Sequence, residues 1–142
     1  MRLHESELAK LGAEFFRGDR VYLYGALGSG KTTATRYFIS QTLNVKSDVT
    51  SPTFAYWRDC GENVYHFDLY RLRDRAHFVA IGGEDVFDDP DAVCFVEWPE
   101  KIEADLPPTV EIRFTPVPGE PDLREVAYRR LSTPPGKRPF RR

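Results

Sequence analysis

Eight consecutive residues carry the strongest chemical signal in the chain. Gly25-Ala26-Leu27-Gly28-Ser29-Gly30-Lys31-Thr32 satisfies G-x-x-x-x-G-K-[ST] at every fixed position. Glycines let a backbone wrap until successive N–H groups converge on phosphate oxygens. A helix starting at the turn aims its positive N-terminal end at the same anion. Lys31 is then placed to reach the β- and γ-phosphates of a nucleotide, and the Thr32 hydroxyl to hold Mg²⁺. Residues 25–33, Thr33 included, are the expected nucleotide cradle. A glycine-rich turn of no function would not explain the context. An apolar strand pattern, Val21–Tyr24, comes immediately before, and a helical pattern comes immediately after.

Phosphoryl chemistry also needs a carboxylate at the metal and a group that orients water. Two apolar runs end in an acid: Val64–Phe67 before Asp68, and Val93–Val96 before Glu97. Either acid alone reads as a loop cap or as the partner of an arginine such as Arg71. Beside a complete phosphate loop, both read as parts of a metal site. Glu97 is expected on the metal with Thr32, and Asp68 in its outer shell or on the water, the two roles being interchangeable. Lys31, Asp68 and Glu97 are thus the catalytic candidates. Thr53, in Ser51-Pro52-Thr53-Phe54, reads either as a sensor of the γ-phosphate or as a turn residue opening a strand. His66 reads more readily as a structural histidine than a catalytic one. Trp98 reads as packing or, if exposed, as a partner contact. Cys94, among apolar neighbours, reads as an inert core thiol. A guanine-reading N-K-x-D is missing, since Asn44-Val45-Lys46-Ser47-Asp48 has the wrong spacing. ATP is therefore the expected nucleotide, by default.

These groups need a scaffold. Leu8, Leu11 and Phe15, spaced 3 and 4, predict an amphipathic helix over about 5–17, ended by Gly18-Asp19. Val21–Tyr24 predicts a buried strand, and the helix after the glycine-rich turn runs to about Leu43. Residues 44–53 read as a loop. Thr53–Trp57 and Asn63–Phe67 read as a hairpin across 58–62. A loop and helix from Asp68 break at Gly82-Gly83. Ala92–Val96 is another buried strand. Val110–Phe114 and Arg124–Leu131 form a hairpin with a Pro/Gly-rich turn between them. The expected fold is α/β, a P-loop NTPase-like three-layer arrangement: a mostly parallel central sheet, helices on both faces and an antiparallel C-terminal hairpin.

With 142 residues, the chain is one domain's worth, 1–131, followed by a basic, Pro-rich segment, 132–142, expected to be a flexible tail. No apolar run reaches the ~18 residues of a membrane helix, and MRLHESELAK has no secretory apolar stretch. Two cysteines make no disulfide scaffold. A cytoplasmic protein without membrane contact is expected. The net charge of -2 hides an asymmetry. Arg129, Arg130, Lys137, Arg138, Arg141 and Arg142 fall in the last 14 residues, with no acid, leaving 14 basic against 22 acidic residues before them. The tail reads as solvated, or as a contact for RNA or an acidic partner.

Four blocks in this order resemble the TsaE (YjeE) family, the small P-loop ATPase of tRNA threonylcarbamoyladenosine (t6A) biosynthesis. They are residues 23–33 (LYGALGSGKTT), 51–54 (SPTF), 65–72 (YHFDLYRL) and 96–101 (VEWPEK). The phosphate loop is shared by many ATPases, but HFDLYR and VEWPE are far more particular. The likeness covers roughly residues 5–131. It implies that Asp68 lies in the nucleotide site and that Glu97 binds Mg²⁺. Peripheral nucleotide contacts would come from Glu5 and Arg124. The implied partners are TsaD and TsaB, which modify adenosine 37 of tRNAs reading ANN codons, so tRNA is met only indirectly. The implied role is ATP hydrolysis that resets that assembly. Ala26 stands where the family usually has Asp, Leu8 stands for an early threonine, and Ala76–Ala80 replaces a Glu-rich segment. Two other readings compete with the ATPase: a nucleotide-gated binding module without significant turnover, and a small metabolite kinase.

Overall fold

The computed structural model describes residues 1–46 and 56–141. Among the described residues, seven strands form one sheet: β1 Arg2–Leu3, β2 Arg20–Tyr24, β3 Trp57–Asp59, β4 Val64–Asp68, β5 Val93–Glu97, β6 Val110–Val117 and β7 Glu120–Arg130, in the order β1-β7-β6-β2-β5-β4-β3. The centre, β6-β2-β5-β4, is parallel, and the two flanks are antiparallel. This is the α/β sheet with a parallel centre and an antiparallel C-terminal hairpin that the sequence predicts.

Alternation along the central strands explains the layers. Leu23, Phe95 and Ile112 point to one face and pack with Ala34, Phe38 and Ile39 of the helix that follows the glycine-rich turn. Tyr22, Phe67 and Val96 point to the other face. There they meet Phe78 of α2 (Arg75–Ala80) and Phe87 of α3 (Gly83–Phe87). Apolar side chains buried on both faces are what a parallel centre requires. Cys94 lies in the second core, and burial pushes its thiol up to about 12. Its burial is what its apolar neighbours predict.

Several elements differ from the sequence expectation. The N-terminal helix is a short 3-10 turn, Glu5–Leu11, ended by Gly12 in the left-handed region rather than by Gly18. The helix after the glycine-rich turn starts as α1, Lys31–Tyr37, and widens to a π-turn over Phe38–Thr42. The widening lets the adjacent Phe38 and Ile39 both face the core. In the β3–β4 hairpin, Arg58 pairs with His66, and the turn comes later than 58–62 suggests. Gly61, Glu62 and Asn63 all take positive φ there, which tightens the reversal. In the last hairpin, the strands run through the proline-containing segment to Pro118-Gly119, absorbing a bulge at Pro116/Val117.

The C-terminal segment corrects the flexible-tail expectation. Phe140 is buried in the first core, Pro134 is buried, and Pro139 bridges Phe16. Arg138 pairs with Asp91, and Arg141 with Glu62. Arg141 also donates to the carbonyls of Leu43 and Asn44. Prolines need no amide partner, and the acids of the body supply counter-charges in cis. Among the described residues of that basic set, Arg130, Arg138 and Arg141 are each paired with an acid of the fold.

An ion pair built on a buried acid ties the last hairpin to the start of β2. Asp19, fully buried, accepts from Arg130 Nη1 and Nη2 (2.9 and 2.8 Å), Thr109 Oγ1 (2.6 Å) and the Phe16 amide (2.7 Å). Removing Asp19 leaves the partly exposed Arg130 guanidinium with only its carbonyl partners and takes from the Phe16 amide its buried acceptor. Asp19→Ala should cost ~1–3 kcal/mol, read as a lower urea midpoint at unchanged slope. A loss within ~0.5 kcal/mol, the surface-substitution range, would show that the pair does not hold the hairpin.

Candidate functional site

Strand register builds the site. In the parallel pair β4–β5, Asp68 lies opposite Glu97, and in β2–β5, Leu23 lies opposite Glu97. The C-terminal ends of β2, β4 and β5 therefore finish level, forming the crevice where open α/β sheets bind ligands. The glycine-rich turn leaves β2 at Gly25 and enters α1 at Gly30, whose φ of 102° suits glycine. Gly25 is required for a different reason. A Cβ there would stand 2.5 Å from Ser29 Oγ and 3.0 Å from the Phe114 carbonyl.

A cavity of about 750 Å³ opens over this turn. Leu27 through Thr33 line one side, Asp68, Tyr70, Glu97 and Trp98 another, and Glu5 and Arg124 belong to the remaining wall. Gly25 and Ala26 shape the turn without lining the cavity. Arg124 donates to the Gly28 carbonyl (3.3 Å) and the Pro121 carbonyl (2.7 Å), so it also braces the turn. Thr53 and the Ser51–Phe54 block lie outside the described residues.

The central contacts are short. Thr32 Oγ1 donates to Glu97 Oε1 at 2.7 Å. Glu97 is 3% exposed. Burial pushes its carboxyl up, but hydrogen bonds from His66 and Thr32 and the nearby charges outweigh that and hold it below the ordinary carboxylate value. Lys31 Nζ donates to the Gly25 carbonyl and lies 3.4 Å from the centre of the Trp98 ring. Burial lowers its ammonium below the usual lysine value, although Glu97, Glu100 and Asp68 pull the other way. Asp68 is exposed and accepts from the Tyr70 amide at 3.1 Å.

This donor set fits a hard cation beside a polyphosphate. Among the described residues, no cluster of three or more His, Cys, Asp or Glu is set to hold a metal. Mg²⁺, however, is commonly held by one or two carboxylates together with substrate phosphates and water. A hydroxyl and a carboxylate oxygen at 2.7 Å, with a second carboxylate on the adjacent strand, supply that kind of partial shell. The buried Ser29 hydroxyl also has no protein partner at the turn.

Comparison with known proteins decides the family. The family model "Threonylcarbamoyl adenosine biosynthesis protein TsaE" matches residues 3–124. The chain belongs to the TsaE family. It is 42% identical over 103 residues to the tRNA threonylcarbamoyladenosine biosynthesis protein TsaE of Haemophilus influenzae, and 39% identical over 104 residues to that of Bacillus subtilis. Each match takes in 70% of this chain and 63% of the relative, so the chain spans less than two thirds of those relatives' length. The crystal structure of Bacillus subtilis YdiB superposes with a TM-score of 0.66 at 30% identity, covering 93% of this chain and 84% of that one. The family match ends inside β7, so the docked C-terminal segment lies beyond it.

Two features of the site exceed the sequence reading. Trp98 packs against the second core, as one reading of it expects, and does more: it takes a left-handed backbone (φ 58°) and turns its ring over Lys31, 4.9 Å from Tyr70. His66 is not mere packing, because its ring contacts Glu97 directly. The signal was available. His66 and Asp68 are two apart on one strand and so share a face.

Proposed function

We propose that this chain is a Mg²⁺-dependent ATPase serving t6A formation at adenosine 37 of tRNAs reading ANN codons, acting in the cytoplasm on a TsaD–TsaB assembly. The observation that carries the ATPase reading is the level register of Asp68 and Glu97 beside Thr32 at the mouth of a complete phosphate-binding turn. In this reading the turn cradles the phosphates, and Lys31 leaves the Gly25 carbonyl to meet them. Thr32 and Glu97 hold the metal. Asp68, exposed at the rim, orders water. Mg²⁺ when bound would neutralise charge developing on the phosphoryl oxygens. Adenine is favoured over guanine by the missing N-K-x-D motif. No helix among the described residues is long and apolar enough to cross a membrane, which fits a role away from one.

Among the described residues, Arg124 is the arginine that lines the cavity, and its guanidinium is engaged with the Gly28 and Pro121 carbonyls. Charge supplied in trans is worth ~10³–10⁵ in rate in related phosphoryl transfers. Turnover of the isolated chain should therefore be slow and should rise at least ~100-fold when TsaD and TsaB are added. Phosphate release with and without them checks this. Equal rates would refute the coupling, and transfer of phosphate to a metabolite instead of water would favour a kinase.

A further inference from the structure

Behind Glu97 stands a line of polar groups that the nucleotide reading leaves unused. Glu97 Oε1 faces Thr32, while Oε2 meets His66 Nε2 at 2.6 Å. On the far side of the ring, Nδ1 meets Arg58 Nη2 at 3.1 Å. Strand pairing aligns the three. Arg58 is opposite His66 in the antiparallel β3–β4 pair, and Glu97 ends the neighbouring parallel strand β5. His66 and Glu97 are both buried, 7% and 3% exposed.

Donor inventory fixes the direction of this line. A guanidinium has donors and no acceptor. His66 Nδ1 must therefore accept from Arg58, and the ring proton sits on Nε2, where it donates to Glu97. A carboxylate has two equivalent oxygens and a rotatable bond. With Oε2 held by an imidazole N–H, Oε1 is left facing Thr32 and the cavity. Groups that orient a metal ligand in this way set metal affinity without touching the metal, typically by 10–100-fold.

We propose that His66 is a positioning residue for Glu97 in Mg²⁺ binding, and that Arg58 selects the histidine tautomer that makes this possible. The inference rests on the functional reading above, and it assigns the Mg²⁺ affinity of that site to two residues outside it. It differs from a purely packing role for His66, in which any apolar side chain of similar volume would serve. Here a donor at the Nε2 position is required.

The test uses the full chain, with His66→Leu, His66→Gln and Arg58→Met. Nitrogen-15 NMR of the metal-free wild type should show the His66 ring protonated at Nε2 and bare at Nδ1. In Arg58→Met the two tautomers should mix. Binding of ADP is then followed by tryptophan fluorescence, with EDTA and across a Mg²⁺ titration. His66→Leu should raise the half-saturating Mg²⁺ concentration ~10-fold or more, with affinity for metal-free ADP changed less than about twofold. His66→Gln, which keeps an N–H donor, should recover most of the loss.

An Nδ1–H tautomer in the wild type would overturn the proposal. So would a His66→Leu chain with unchanged Mg²⁺ dependence. If His66→Leu does not fold, Arg58→Met carries the titration, and an unchanged tautomer and Mg²⁺ dependence there would overturn it equally. A wild type that binds no Mg²⁺–nucleotide sinks the functional reading and the relay with it. A wild type that binds while the variants match it sinks the relay alone.

Discussion

Replacing Lys31 by Met should weaken nucleotide binding by ~100-fold or more, while leaving the nucleotide-free protein at least as stable as the wild type. The first half follows from charge. Removing a buried, hydrogen-bonded charge from its partner costs ~2–5 kcal/mol, and each 1.4 kcal/mol is tenfold in affinity. The second half follows from the burial of the charge. Burial holds the Lys31 ammonium below its ordinary value despite the nearby acids. The sign is that of a buried base. The folded state carries the full cost of the charge at neutral pH and is relieved only as pH rises through the lowered value toward the usual lysine range. Methionine removes that cost and keeps an unbranched stem against the Trp98 ring. Thermal melts with and without nucleotide read both halves. Ligand at 100 times its Kd should stabilise the wild type by ~2.7 kcal/mol and the variant hardly at all. An undiminished shift in the variant would mean that the turn does not hold the phosphates through Lys31.

That pairing of a costly group with an essential one explains which parts of this protein the sequence reveals. The glycine-rich turn was legible because its geometry demands particular residues at particular places. Gly25 is forced by the Ser29 and Phe114 atoms that crowd it, and such a demand survives in a one-dimensional pattern. The acids were legible because an apolar strand followed by a carboxylate is also a local pattern. Asp68 and Glu97 prove to be register partners. What eluded the pattern was decided by contacts far apart in sequence. The proline-rich basic segment looks like a solvated tail until Phe140 finds a place in the core beside Leu43 and Phe15. Trp98 gives no local hint that its ring will lie over Lys31, 67 positions earlier in the chain. The N-terminal turn was overextended because Leu8, Leu11 and Phe15 keep helical spacing, although the backbone leaves the helix at Gly12. Phe15 reaches the core from irregular chain instead, edge-on to Phe38 and Phe95.

Glu97→Gln should separate binding from hydrolysis. The amide keeps the shape that fills the space between Thr32 and His66, so the site should still assemble, and metal-free nucleotide should bind within a few-fold of wild type. The variant lacks the charge that would hold the metal against the phosphates. Electrostatic groups aimed at developing charge are worth ~10²–10³ in rate each, and turnover should fall by at least ~100-fold. The acid side of the stability profile gives an independent reading in the metal-free chain. The Glu97 carboxyl is held below its ordinary value of 4.5. Its contribution is therefore complete above about pH 4.5 and is lost as pH falls through the lower folded value. The glutamine variant has no such component, so its urea midpoint should change less between pH 5 and the acid limit than that of the wild type. A variant that hydrolyses ATP at the wild-type rate would remove Glu97 from the metal site and leave Asp68 to that role. A variant that has lost hydrolysis and yet restores t6A in cells would show that nucleotide occupancy is what the partners require, and the binding-module reading would then replace the ATPase.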